Sequence, residues 1–179
     1  MKSRLYCQLI ISLLLTVILL AVVIYIVDNN RFPSTLEELQ AVNMSLLWDY
    51  YEKHIRGNLF AGLIAVGGFL MTGKTFILVT MKQNVFDDAE YIKNYKKLVK
   101  FDQSLKRYAP LIQLKDILYV SVYMTIIAAI VQLTIGLIPH WSMALFSLFV
   151  AILSIVLVID SLNLIKRNLD YWLNDREDS

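Results

Sequence analysis

Residues 59–80 read LFAGLIAVGGFLMTGKTFILVT, and two incompatible folds can be read from them. The inner run Gly68-Phe69-Leu70-Met71-Thr72-Gly73-Lys74-Thr75 fits the phosphate-loop pattern letter for letter. Residues 155–160, ending in Asp160, resemble the acidic strand that completes such a nucleotide site. That chemistry needs a strand, an open loop whose N–H groups face phosphate, and then a helix. Here the pattern sits inside an unbroken apolar segment. A membrane-spanning helix needs about 20 mostly apolar residues. The segment is therefore read as a span, and the nucleotide reading is set aside.

Three more stretches have the same character: residues 8–27, 117–139 and 143–165. In lipid a backbone must satisfy its own hydrogen bonds, so each is expected to be a helix. Hydrophobic residues make up 58% of the chain, and mean hydropathy is +0.58. Soluble domains hold about 45–50% apolar residues. The expected fold is all-α: a polytopic membrane protein with four transmembrane helices and helical extensions outside the bilayer. One domain over residues 1–179 is expected. The formal net charge of +2 points to no partner. The single cysteine, Cys7, excludes an intramolecular disulfide and a multi-cysteine metal site. It reads as a small buried residue.

Lys and Arg give the orientation. Three lie in the connection 28–57, eight in 81–116, none around His140 and Trp141, and the two ends add five. Cytoplasmic segments carry the excess of Lys and Arg. Thirteen against three, with Lys74 inside a span, places both termini and residues 81–116 in the cytoplasm. The N-terminal basic and apolar run reads as a retained signal anchor, because no small-x-small cleavage site follows. An inner-membrane location is expected.

The connections carry their own signals. Ser34 with Glu37, and Thr35 with Glu38, have capping-box spacing, so a short outer helix should start there. A second start near residues 43–45 should lead through Trp48, Tyr50 and Tyr51 into the second span. Those rings suit the interface belt. Asn43-Met44-Ser45 is also a glycosylation sequon. In the cytoplasmic connection, Lys93, Lys96, Lys97 and Lys100 recur at helical spacing on one face. Tyr91, Ile92, Tyr95, Leu98 and Val99 fall opposite. Such a basic amphipathic helix can lie on anionic lipid or extend a bundle. With Arg107 it is also a candidate face for a polyanion, either nucleic acid or nucleotide. Pro110 fits the first turn of the third span.

Inside the spans, Lys74 and Asp160 fall about 9 Å and 7–8 Å below the same membrane face, at the rise of an α-helix. Opposite charges at matched depth are a candidate intramembrane pair, since a lone charge there is costly. Small and polar residues also form stripes. The second span has Ala61, Ala65, Gly68, Thr72 and Thr75. The third has Ser121, Thr125, Ala128 and Gln132. The fourth has Ser147, Ala151, Ser154 and Ser161. Small faces let helices approach, and hydroxyls can bond across the contact. The stripes are expected either to pack a four-helix bundle or to face a wet path in an oligomer. Gly68, Thr72, Thr75, Ser121, Thr125 and Gln132 are the candidates for pore or packing.

No enzyme constellation is visible, and no cofactor is implied. His54 and His140 both fall at the outer face and form no helical pair with a second ligand. Glu37, Glu38, Asp49 and Glu52 read as a solvated face. The layout of two cytoplasmic ends, four spans and one basic cytoplasmic connection resembles the small membrane effectors of bacterial anti-phage defence, such as the Hailong channel protein. That resemblance implies an oligomeric pore held shut by a cytoplasmic ligand or domain. The same layout resembles the four-span immunity proteins against pore-forming colicins, which would imply binding of a toxin in the membrane. Both resemblances are of layout alone and carry no residue's role. A homo-oligomeric channel gated from the cytoplasm is the leading expectation. A non-conducting binding subunit is second, and a small transporter third.

The orientation is open to direct measurement. In a Cys7→Ser background, single cysteines at Ser34, Ser104 and Ser179 are treated with an impermeant thiol reagent in intact cells. Only the Ser34 site should react. Labelling at Ser104 would reverse the topology.

Overall fold

The structure, a computed structural model, describes residues 2–27 and 44–177, with side chains described for 5–26 and 45–167. The expected outer helix from Ser34 or Thr35, and Asn43 of the sequon, lie outside the described residues. The described residues are mostly helical and include no strand. Helix α1 spans Lys2–Val27, α2 Met44–Tyr50, α3 Gly57–Met81, α4 Ala89–Val99, α5 Ala109–Leu133 and α6 Trp141–Glu177. Among the described residues, four helices are long and apolar enough to cross a membrane, as the sequence implies.

Two boundaries differ from the expected ones in an informative way. The second span is the middle of one continuous helix. Two π-helical stretches, Tyr51–Arg56 and Lys82–Phe86, join α2 to α3 and carry α3 onward. Their flanking residues Tyr50, Gly57 and Met81 keep ordinary right-handed helical torsions, so the chain never leaves the helix. The span-like part, Ser45–Phe86, has 42 residues. At 1.5 Å per residue that is about 63 Å, twice the hydrocarbon thickness. The fourth helix has 37 residues and also outruns a bilayer. Helical extensions beyond the membrane follow from length alone.

The chain divides into two compact units. The first joins Met1–Val66 to Met124–Leu157, and the second joins Gly67–Tyr123 to Val158–Ser179.

In the first unit, Leu63, Ala128, Ala129, Val150 and Ala151 form one core cluster. The three alanines are fully or almost fully buried, so α5 and α6 approach closely. Beside it, Tyr51 packs with Ala144 and Leu148, and Val23 and Ile24 pack with Leu47. The α5–α6 corner is a 3-10 turn over Ile135–Leu137. Ile138 is extended at φ −72° and ψ 122°, as the residue before Pro139 must be.

The first π stretch has a local reason. Tyr51 and Arg56 are five residues apart, which an α-helix would set about 140° apart. A π turn bonds i to i+5 and brings the two onto the same side of the helix. Both then reach the same corner. Tyr51 donates its hydroxyl hydrogen to Gln132 Oε1, and Arg56 Nη1 donates to the Gly136 carbonyl at 3.4 Å. Gln132 Nε2 donates onward to the Ser147 carbonyl at 2.9 Å. Tyr51 and Gln132 are buried, so a lost partner would leave a polar atom unsatisfied.

In the second unit, Met81, Phe86, Leu114, Leu118 and Ile165 form a core cluster, with Leu70, Val122 and Val158 as another. Helix α4 starts at Asp88, whose carboxylate accepts from the Glu90 N–H at 3.2 Å. Tyr91 donates to the Arg107 carbonyl at 3.1 Å, and Tyr95 to the Leu105 carbonyl at 2.9 Å. These two bonds fold α4 back on the approach to α5.

Gly136 tests the polar corner. A Cβ there would collide with the Tyr51 hydroxyl, while the ring carbon behind it stands off at 3.5 Å. Gly136→Ala should therefore lower the thermal unfolding midpoint in detergent. Tyr51→Phe alone should cost about 1 kcal/mol, the scale of a hydrogen bond between spans. Combined, the two should cost less than their sum, because the colliding oxygen is gone. Strict additivity would show that the corner is not built this way.

Candidate functional site

The polar residues fall into three groups, two on the spanning helices and one on α4 and the turn after it. The first is buried inside the protomer. Gln132, Thr125, Ser121, Ser147, Ser154 and Ser161 are at most 1% exposed. The expected stripes of α5 and α6 thus face inward. Their hydroxyls largely serve their own helices. Ser154 Oγ donates to the Ala151 carbonyl at 2.8 Å, and Ser161 Oγ to the Val158 carbonyl at 2.7 Å. Ser121 Oγ donates to the Ile117 carbonyl at 3.0 Å. Gln132 bonds between helices, its amide being long enough to reach both Tyr51 and α6.

A fourth stripe escaped the sequence reading. On α1, Gln8, Ser12 and Thr16 are buried. Ser12 Oγ donates to the Gln8 carbonyl and Thr16 Oγ1 to the Ser12 carbonyl, each at 2.7 Å. Their four-residue spacing in an otherwise Leu/Ile run was a legible signal. Cys7, expected to be buried, is exposed. It lies one residue off that covered face, which is about 100° around the helix.

The second group is uncovered. Ala61, Ala65, Gly68, Thr72 and Thr75 of α3 are all exposed. The buried side of α3 carries Leu63, Gly67, Leu70 and Met81, roughly opposite. A Cβ at Gly62, Gly68 or Gly73 would meet nothing within 4 Å, so packing inside the protomer does not require these glycines. Gly68–Thr75 lies in the interior of a helix. Its backbone is engaged there, and Thr72 Oγ1 donates to the Gly68 carbonyl at 3.2 Å. No open phosphate loop exists at this place.

Lys74 is half-buried on α3, with Nζ 4.9 Å from the centroid of the Tyr119 ring. Asp160 is half-buried on α6. The contact made by the Lys74 ammonium is thus with an aromatic face.

The third group caps the far end of α3. Lys93, Lys96, Lys97 and Lys100 are exposed on one side of α4, whose other side carries the half-buried Tyr91, Ile92, Tyr95 and Val99. Leu98, expected on the covered side, is 57% exposed, because the covered sector is narrower than half the helix. Arg107, expected to share the basic face, is spent elsewhere. Its Nε and Nη2 both donate to the Phe86 carbonyl, at the end of the second π stretch. Nη2 also lies 2.6 Å from Asp87 Oδ1. The guanidinium stacks 4.8 Å from the Tyr108 centroid. Tyr108 donates to the same Asp87 oxygen at 2.7 Å, which raises its phenol above the ordinary 10.0. In the following turn, Asp102 accepts from the hydroxyl and the N–H of Ser104, which lowers its carboxyl. The free basic face is therefore four lysines on a clamped platform.

Among the described residues, no group of three or more His, Cys, Asp or Glu could hold a metal ion. The His54 ring lies tilted against Tyr50, with centroids 4.9 Å apart and planes at 41°, and His140 Nδ1 lies 2.9 Å from Ser142 Oγ. No protein-family model, curated protein or solved structure matches the chain.

Proposed function

We propose that this protein is an oligomeric membrane channel gated from its cytoplasmic side, in the manner of small pore-forming effectors. The observation that carries the reading is the split between the stripes. The polar faces of α5 and α6 are used up within one protomer. The small, weakly polar face of α3 is left uncovered. In lipid, small faces associate by close backbone approach, and identical subunits close into rings. Copies meeting near α3 would bring Thr72 and Thr75 of each chain toward a shared axis. The four free lysines of α4 would then repeat around the mouth as a positive ring. Such a ring favours anions or holds a polyanion such as a nucleic acid or nucleotide. The proposed topology keeps both termini and that ring in the cytoplasm of an inner membrane.

Two measurements test this. In a Cys7→Ser background, cysteines at Gly68 or Thr72 should form disulfide-linked dimers on mild oxidation, while a cysteine at Leu63 should not. Purified protein in planar bilayers should give discrete currents. Changing Lys93, Lys96, Lys97 and Lys100 together to Gln should alter ion preference or block, with less effect at high salt, where screening shortens to a few Å. Crosslinking without currents under any voltage, salt or polyanion would leave a self-associating, non-conducting binding subunit. Absence of both would end the oligomeric reading.

A further inference from the structure

We propose that Lys74, Tyr119 and Tyr123 form a binding site for one anionic phospholipid, in the leaflet at the C-terminal end of α3. Lys74 and Tyr119 lie on two helices that are both long and apolar enough to span a membrane. A cation there needs compensation, and the attraction of one ring face is smaller than the cost of charge in hydrocarbon. The ring that holds the ammonium is itself open. Tyr119 is 59% exposed and Tyr123 is 56% exposed. Their rings run parallel, at 6° and with centroids 6.3 Å apart, one turn from each other on α5. Two phenols and an ammonium thus share one outward surface, where side chains facing lipid are usually Leu, Ile or Val.

The geometry suits a phosphodiester. Lys74 precedes Lys82, at the polar end of the helix, by about 12 Å along the axis. A long lysine stem can carry its charge toward that end. Lys115 stands one turn from Tyr119 on the same side of α5, and Asp116 Oδ1 lies 3.0 Å from its Nζ. Lys115 is therefore partly neutralised, and Lys74 is the cation with charge to give. Basic recesses between spanning helices are where anionic headgroups bind. The phosphate would sit against Lys74 Nζ, with the Tyr119 and Tyr123 hydroxyls donating to its ester or glycerol oxygens. The acyl chains would lie along the exposed apolar surface beside Met71, one turn before Lys74 on α3. This holds whether or not the protein conducts, because it depends only on the spanning helices.

The test is native mass spectrometry of the full chain in mild detergent. Phosphatidylglycerol and phosphatidylcholine of matched chains are titrated in. Wild type should retain phosphatidylglycerol in preference. K74Q should weaken that retention roughly fivefold and Y119L roughly threefold, while K74R stays near wild type and Y119F, which keeps the ring but loses its hydroxyl, falls between wild type and Y119L. Should K74Q fail to fold, the contrast of Y119L with Y119F gives the same reading. Inorganic phosphate in excess should not displace the lipid. Displacement would make this a free-anion site and overturn the lipid assignment. Equal retention of both lipids by wild type, or no change in K74Q, would also overturn it. D160N should retain lipid as wild type does. A several-fold gain in D160N would show that the Lys74 charge is spent on Asp160, and the site would fall.

Discussion

The hydrogen-bond chain from Tyr51 through Gln132 to the Ser147 carbonyl sets the terms for the first unit. An amide in hydrocarbon must find its partners within the protein. Gln132 finds one from α6 and one from the foot of α3. To supply the second, the helix gives up regular α geometry over Tyr51–Arg56 and brings Tyr51 and Arg56 to one side. Gly136 keeps the corner open for the phenol. One polar side chain thus accounts for a π stretch and a glycine.

The second unit follows the same logic at its end. At the end of the second π stretch, Arg107 directs two donors at the Phe86 carbonyl. Asp87 then neutralises the guanidinium, and Tyr108 covers it. An arginine that reads as part of a basic surface is in fact a brace. It is the lysines, with longer aliphatic reach and no fork to satisfy, that remain outside.

Much of the fold was legible because lipid allows so few solutions. Segment length and apolarity alone separated four spans from the phosphate-loop reading of Gly68–Thr75. The run of Lys93, Lys96, Lys97 and Lys100 gave the α4 face, and the spacing of Ser147, Ser154 and Ser161 gave the buried side of α6. What was not legible depends on how helices are rotated against one another. The α3 stripe has the same small residues as the others, yet it lies outside, and nothing in its composition tells which way it turns. Tyr51 looked like an interfacial ring because hydropathy cannot see a partner 81 positions away. Gln8, Ser12 and Thr16 were visible in principle. They were lost in a run whose apolar character is nearly uniform around the helix.

The two π stretches have a further consequence for how this chain can vary. A π stretch is a helix that has taken in an extra residue. Deleting one residue from 51–56 would restore an ordinary α turn and shorten nothing visible. It would also turn α2, the helical segment before it, by about 100° relative to α3. Tyr51 would then leave Gln132, and Leu47 would leave Val23 and Ile24. Length in this helix is therefore a form of aim, and insertions or deletions are heard at the opposite end of the segment from where they occur.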